Sequence, residues 1–245
     1  FEEIIRQRKY THGKNGSIFF FLDTTGGCLS ECTAHNVVTV PVAVRGMLIR
    51  ANIWHNPGMA RYSTNTIKRT LDSASREFQA AAGLNEALAK RGFIALEDVW
   101  RTARMRGNLE SMGSVRGLCS ATTNSASTLE LDQEFPDVLS TAYVTLGPPG
   151  HTVFLPVPVC VQDIPEDIMD GSWSRAAIAR LEDQGLEFDS ALWLKPEAEL
   201  QAVYQKALQD AREALRQGQR EGAVARLQQA FAECCRRARQ EVMPQ

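Results

Sequence analysis

The sequence contains no long hydrophobic run and no excess of either charge, and each of these shortages excludes a class of protein. Its longest apolar runs are strand-length, as at residues 18–22, whereas a transmembrane helix needs about 20 apolar residues. The 27 basic and 29 acidic residues leave a net charge of -2, so no overall field attracts the protein to nucleic acid or to an anionic membrane. We therefore expect no nucleic acid and no membrane among its partners.

Metal-binding and disulfide patterns are also missing. The four histidines are scattered, without the pair four residues apart that marks a helical zinc site. The six cysteines fit neither a zinc site nor a small disulfide framework. They are Cys28, Cys32, Cys119, Cys160, Cys234 and Cys235. We expect no metal, no cofactor and mostly reduced thiols, and hence a cytoplasmic protein.

What the sequence does contain is enough apolar material for a core, arranged first as strands. Hydrophobic residues make up 44% of the 245 residues, which is ordinary for a globular protein. Apolar and β-branched runs separated by turn residues predict four strands in an antiparallel meander. These strands span residues 17–22, 28–32, 37–42 and 47–52.

Helical patterns follow, and strands then return. Helices are predicted over about residues 67–81, 85–91 and 96–105, with a linker at Gly83. The first has apolar residues spaced for one buried face, namely Ile67, Leu71, Ala74 and Phe78. Further strands are predicted at residues 118–121, 125–131, 141–146, 152–155 and 157–161.

The C-terminal third changes character again. From residue 164 the chain is predicted to be rich in loops. Residues 200–242 are then predicted to form a long helix, which is interrupted at Gly218 and Gly222. The predicted order is strands, then helices, then strands, and it contains no alternating βαβ units. This order favours an α+β fold in which helices pack outside two antiparallel sheets.

The most informative stretch for function is residues 48–57, where an apolar strand ends in polar residues. Asn52 lies at the predicted strand end, where its amide could aim a donor or simply satisfy a turn. His55 could take an acid/base role, although a loop residue near a pocket is the more common case. Arg61 could reach a substrate carboxylate, although an exposed arginine on a helix surface is the common case.

Several ordered motifs make the chain resemble a known family. They are residues 28–33 (CLSECT), 48–52 (LIRAN), 56–57 (NP), 119–121 (CSA), 123–127 (TNSAS), 143–149 (YVTLGPP) and 154–157 (FLPV). Their order over about residues 1–165 resembles the acyl-coenzyme A:6-aminopenicillanic acid (isopenicillin N) acyltransferase family and its linear-amide hydrolase relatives.

This resemblance implies an N-terminal nucleophile (Ntn) hydrolase with a four-layer αββα sandwich. Residues 1–165 would be the later part of that domain, and residues 166–245 would be a loop and C-terminal helices packed on it. In the family, self-cleavage frees a cysteine whose thiol attacks an amide carbonyl, with its own α-amino group as the base. Asn52 would occupy the position of a side-chain amide that donates to the oxyanion, a role worth roughly 3 kcal/mol.

The chain departs from the family at its start, because it begins at Phe1. The family's nucleophile would lie upstream, in a missing segment, in a separate processed chain, or in a catalytic half that has been lost. Self-cleavage at Gly27–Cys28 would instead make Cys28 the nucleophile, but it would cut a predicted hairpin. Glu31, a carboxylate within a strand, needs partners and is expected to tie the sheet to the missing segment.

These observations predict an amidase or acyltransferase that acts on a linear amide C–N bond through an upstream cysteine. Its partners would be a small-molecule amide or acyl substrate and the upstream segment. The alternative is a non-catalytic relative that binds a small molecule or a protein on the same scaffold. Either protein could form a homodimer.

Overall fold

The computed structural model describes most of the chain after its first sixteen residues. The described residues are 17–23, 26–32, 37–42, 47–51, 53–60, 66–106, 117–120, 122–185 and 189–243. Of the three predicted site residues, His55 is described, whereas Asn52 and Arg61 lie outside the described residues.

The first sheet is an antiparallel meander of three strands. It consists of β1 (Ser17–Asp23), β2 (Gly26–Cys32) and β3 (Val37–Val42), with β2 in the centre. Ser30 faces Thr39 across the β2–β3 pair, and their hydroxyl oxygens are 2.9 Å apart. This sheet confirms three of the four predicted strands.

The fourth predicted strand, at residues 47–52, was wrong over its described part. Residues 47–51 pair with no strand that the structure describes. The N–H of Ala51 donates instead to the Glu77 carboxylate, and the carbonyl of Ile49 accepts from the Arg50 side chain. Side chains therefore satisfy backbone groups that a strand would offer to a neighbouring strand.

Three helices follow: α1 (Pro57–Ala60), α2 (Ile67–Arg91) and α3 (Leu96–Ala103). The linker predicted at Gly83 was wrong, because α2 runs through it as one helix. A Cβ at Gly83 would lie 3.0 Å from Thr102 Oγ1 and 3.2 Å from Met105 Sδ. Gly83 therefore serves the close approach of the α3 region to α2 rather than a break.

The buried face predicted for α2 was also wrong. Its large residues Ile67, Leu71 and Phe78 are exposed, as is Ala74. The buried positions are small ones, Ser73, Ala80 and Ala87. Ala80 and Ala87 flank Gly83, where the α3 region approaches α2 at short range, so small residues suit this part of the buried side.

The second sheet is also an antiparallel meander of three strands. It consists of β4 (Ser127–Glu130), β5 (Thr141–Val144) and β6 (Leu155–Pro158), and the short helix α4 (Pro136–Leu139) connects β4 to β5. Strands β4 and β5 lie within two of the predicted strands. Strand β6 runs through Pro156 and so joins parts of two strands that were predicted separately, at residues 152–155 and 157–161. Residues 118–120, also predicted as strand, have no strand structure.

Helices dominate the rest of the chain. They are α5 (Glu166–Met169), α6 (Ser172–Gln184), α7 (Leu194–Arg216) and α8 (Arg220–Val242), with a 3₁₀ turn at Ser190–Trp193. The predicted long helix is a hairpin of α7 and α8, because Gly218 takes a φ of 76° in the turn. Gly222, the other predicted interruption, lies within α8.

The largest apolar core joins the second sheet to this helical hairpin. Val138, Val153 and Leu155 from the sheet region share it with residues of the hairpin such as Leu200 and Phe231. The fold is therefore α+β, with two small antiparallel sheets and long C-terminal helices. Among the described residues, no helix is long and apolar enough to cross a membrane.

Candidate active site

The candidate site is built around the segment of residues 47–59, which we call the 47–59 loop. Two carboxylates anchor it, and the first is Glu31, near the end of the central strand of the first sheet. Glu31 is 2% exposed. Its Oε1 accepts from the N–H of His55 at 2.9 Å, and its Oε2 accepts from the N–H of Asn56 at 3.1 Å. The buried carboxylate thus has partners for both oxygens, as a charge in such a place requires.

The second anchor is Glu77, in the middle of α2. Its Oε1 accepts from the N–H of Ala51 at 2.5 Å. Both of its oxygens also lie 2.9 Å from Nε2 of His55. Glu77 therefore holds the backbone of the 47–59 loop on one side of position 52 and a side chain of the loop on the other.

The loop ends in a well-defined helix start. Oδ1 of Asn56 accepts from the N–H of Gly58 at 2.8 Å, and Pro57 is the first residue of α1. The first backbone amides of a helix have no intrahelical partners. The Asn56 side chain accepts from one of them, and Pro57 has no N–H that needs a partner. Met59 is fully buried and anchors the helix in the protein.

The pairing of His55 with Glu77 gives this site its chemistry. In a neutral imidazole, a carboxylate beside Nε2 favours the proton on that nitrogen, which leaves Nδ1 as an acceptor. His55 is an exposed residue, so its ring can be reached from solvent. Such a pair can orient a polar substrate group or accept a proton from it.

Glu77 could not be identified from the sequence, because its role depends on a contact across 22 positions of the chain. Glu31 was expected to need partners, and both described partners are backbone amides of the 47–59 loop. The expected tie to an upstream segment remains a prediction, since it concerns residues outside this structure.

The described cysteines outside the first sheet are poor candidates for a nucleophile. Burial raises the pKa of Cys119 and of Cys160. It raises the pKa of Cys234 and of Cys235 to about 12. These four side chains are therefore protonated near neutral pH, whereas the attacking species is the thiolate.

Cys28 lies in β2, the central strand of the first sheet. It is half-buried in β2, opposite Phe21 in β1 and Pro41 in β3. Cleavage of the Gly27–Cys28 bond would break the central strand near one end of the meander. Within the described residues, the sheet therefore favours Cys28 as a structural residue.

A separate cavity of about 570 Å³ lies between the β4–α4 connection and α7. Its charged lining consists of Glu130, Asp132, Glu134 and Arg212. Arg212 pairs with Asp132 and Glu134, and Glu134 also pairs with Arg216. Arg212 and Arg216 thus offset two of the three acidic charges, and no residue of the 47–59 loop lines this cavity.

Metal ligands are not clustered in the part of the chain that the structure describes, where no three His, Cys, Asp or Glu side chains are placed to hold an ion. Comparisons with models of protein families, with curated proteins and with solved structures found no significant match to this chain.

Proposed function

We propose that the 47–59 loop forms part of the active site of an Ntn-type amidase or acyltransferase that acts on a linear amide C–N bond. The observation that carries this proposal is the double anchoring of the loop by Glu31 and Glu77. A catalytic group works best on a backbone that does not reorganise during the reaction. The hydrogen bonds to Ala51 and His55 fix the backbone on both sides of position 52.

In this proposal Asn52 supplies the oxyanion donor. Attack on an amide carbonyl turns its oxygen into an anion, and a side-chain amide N–H can donate to it. One such donor typically contributes about 10²–10³ in kcat. The anchors at Ala51 and His55 support this role, because they limit the positions that the neighbouring backbone can take.

The reaction requires a cysteine outside the residues described here. Its thiolate would attack the amide carbonyl carbon, and the α-amine of the same residue would accept the thiol proton. Collapse of the tetrahedral intermediate would break the C–N bond and pass that proton to the leaving amine. Water or a second amine would then take the acyl group from the thioester, which gives hydrolysis or transfer.

His55 and Arg61 are assigned to the substrate rather than to bond cleavage. The exposed imidazole of His55, oriented by Glu77, can bind a polar group of the acyl or amine portion. Arg61 would pair with a substrate carboxylate. In the complete protein, the two sheets would contribute to an αββα sandwich of the Ntn type.

Mass spectrometry of the mature protein from its native source tests the nucleophile. The proposal predicts processing that leaves an N-terminal cysteine, and a thiol-directed acylating probe should label that residue. A single uncleaved chain with no labelled cysteine would overturn it.

A binding protein without catalysis is the second candidate, because anchoring by Glu31 and Glu77 would suit a ligand-binding loop as well as a catalytic one. Release of p-nitroaniline from a panel of N-acyl p-nitroanilides separates the candidates. Turnover by the mature protein supports the enzyme, and ligand binding without turnover supports the binding protein.

A further inference from the structure

Helix α2 presents its large apolar side chains to solvent. Ile67 is 81% exposed, Leu71 64%, Phe78 75% and Leu88 42%. A surface helix of a globular protein normally turns such residues toward the core. Contiguous apolar patches of this kind mark sites of interaction.

These residues belong to a regular repeat. Positions 67, 71, 74, 78, 81, 85 and 88 alternate in steps of four and three along the helix. That alternation is the a/d pattern of a coiled coil, in which an apolar seam repeats every 3.5 residues and faces another helix. The positions carry Ile67, Leu71, Ala74, Phe78, Ala81, Asn85 and Leu88, and we call them the α2 seam.

We propose that the α2 seam is the interface between two copies of this chain, which pair through parallel α2 helices. This proposal does not depend on the proposed function. We choose a second copy as the partner because the α2 seam is more complementary to itself than to an unrelated apolar surface.

Asn85 is the first reason for choosing a second copy. It shares the a-type positions of the seam with Leu71 and Phe78, and it is exposed. In a parallel pair in register, it would face Asn85 of the second copy, and the two amides could bond to each other. Against an apolar groove of another protein, the same amide would be buried without partners, which is unfavourable.

The area of the seam is the second reason. The helix has 25 residues and is therefore about 37 Å long. A fully exposed large apolar side chain offers roughly 200 Å², so the exposed fractions of the four large residues give about 500 Å² per copy. Two copies would bury about 1,000 Å², which is the lower limit for a specific interface.

The flanking positions supply no repulsion. Between residues 70 and 89, the e and g positions beside the seam carry Thr70, Ser75, Glu77, Ala82, Leu84 and Ala89. Glu77 is the one charge among these six, and its carboxylate accepts from Ala51 and His55 of its own chain. Like charges therefore do not oppose each other along this part of the pair.

Sedimentation equilibrium of the full chain tests the pairing. The wild-type protein should dimerise at micromolar concentration, and Leu71→Glu should raise the dissociation constant at least about tenfold. Leu192→Glu is the matched control, because Leu192 is 62% exposed in the 3₁₀ turn outside the seam. A monomeric wild type, or equal behaviour of the two variants, would overturn the proposal.

Disulfide cross-linking tests the orientation. In a parallel pair, Leu88→Cys places two thiols at facing positions and keeps Asn85, so mild oxidation should give a covalent dimer much faster than for Leu192→Cys. An antiparallel pair centred on residue 78 would separate the two thiols by about 30 Å. A cross-linking rate no higher than that of the control would overturn the parallel arrangement.

Discussion

Glu197→Gln should destabilise the protein strongly, because it removes the charge that neutralises a buried arginine. Arg104 is 6% exposed and Glu197 is 2% exposed. Nη1 of Arg104 donates to Oε2 of Glu197 at 2.8 Å, and Nη2 donates to Oε1 at 2.5 Å. Arg104 also donates to the carbonyls of Pro149 and Thr152, so this pair ties the end of α3 to α7 and to the turn before β6.

The expected cost follows from the charge that remains. Arginine stays protonated, so the variant leaves an unpaired buried cation, and such a loss costs about 3–5 kcal/mol. The glutamine can keep an oxygen near the N–H of Phe154, which now donates to Oε1 at 2.8 Å. A loss of this size is a large part of a domain's total stability of about 5–15 kcal/mol. Divided by the dependence of the unfolding free energy on urea concentration, it should lower the urea midpoint by roughly 1–2 M.

Urea unfolding followed by tryptophan fluorescence measures this loss, because Trp100, Trp173 and Trp193 are buried in this part of the protein. Glu213→Gln on the exposed face of α7 is the control, with an expected change within about 0.5 kcal/mol. The double variant Arg104→Met, Glu197→Met should lose at least about 2 kcal/mol less than the sum of its single variants. A loss below about 1 kcal/mol for Glu197→Gln would refute the reasoning.

Three further predictions concern two glycines, the sheet anchor and a buried histidine. Gly222→Ala in α8 meets no atom within 4 Å and should stabilise by up to about 1 kcal/mol. In contrast, Gly147→Ala, with a φ of 119° and a Cβ 2.5 Å from that of Ala177, should cost at least about 2 kcal/mol in urea unfolding. Glu31→Gln places an amide group against backbone N–H donors and should cost about 1–3 kcal/mol in the same assay; an unchanged midpoint would argue against the anchor. Burial lowers the pKa of His151 below its ordinary 6.5, so stability should be full above about pH 7 and fall as the pH drops through 6.5 toward that lowered pKa. His151→Gln should flatten this dependence in urea unfolding at a series of pH values.

The parts of the fold that follow local rules could be predicted from the sequence. Alternating apolar residues and turn residues located β1, β2 and β3, and strand character located the second sheet. The hairpin of α7 and α8 was predicted as interrupted helix, since Gly218 is a strong local signal. The α+β class followed from the order of these elements.

Features that depend on tertiary contacts could not be predicted in this way. The periodicity of α2 identified an apolar face, but it could not show that Gly83 lets the α3 region pack on the opposite, small-residue side. Residues 47–51 were predicted as strand because most of them are apolar. Their backbone nevertheless bonds to Glu77, and a local pattern contains no information about that distant side chain.

The candidate site shows the same division. Glu31 and His55 were predicted as notable residues from their type and position in the sequence. The structure brings both to the 47–59 loop. Glu77 completes the arrangement through a contact that no local sequence motif predicts. The proposed role of Asn52 remains a prediction, supported by the anchors on either side of it.

The most direct test of the proposed function is the turnover of N-acyl p-nitroanilides by Asn52→Ala, expressed from the complete gene. Asn124→Ala, which removes an exposed amide elsewhere, is the matched control. We expect Asn52→Ala to lower kcat by about 10²–10³, with little change in the urea midpoint, and Asn124→Ala to leave kcat unchanged. A kcat for Asn52→Ala equal to that of the wild type would contradict the assignment of the oxyanion donor.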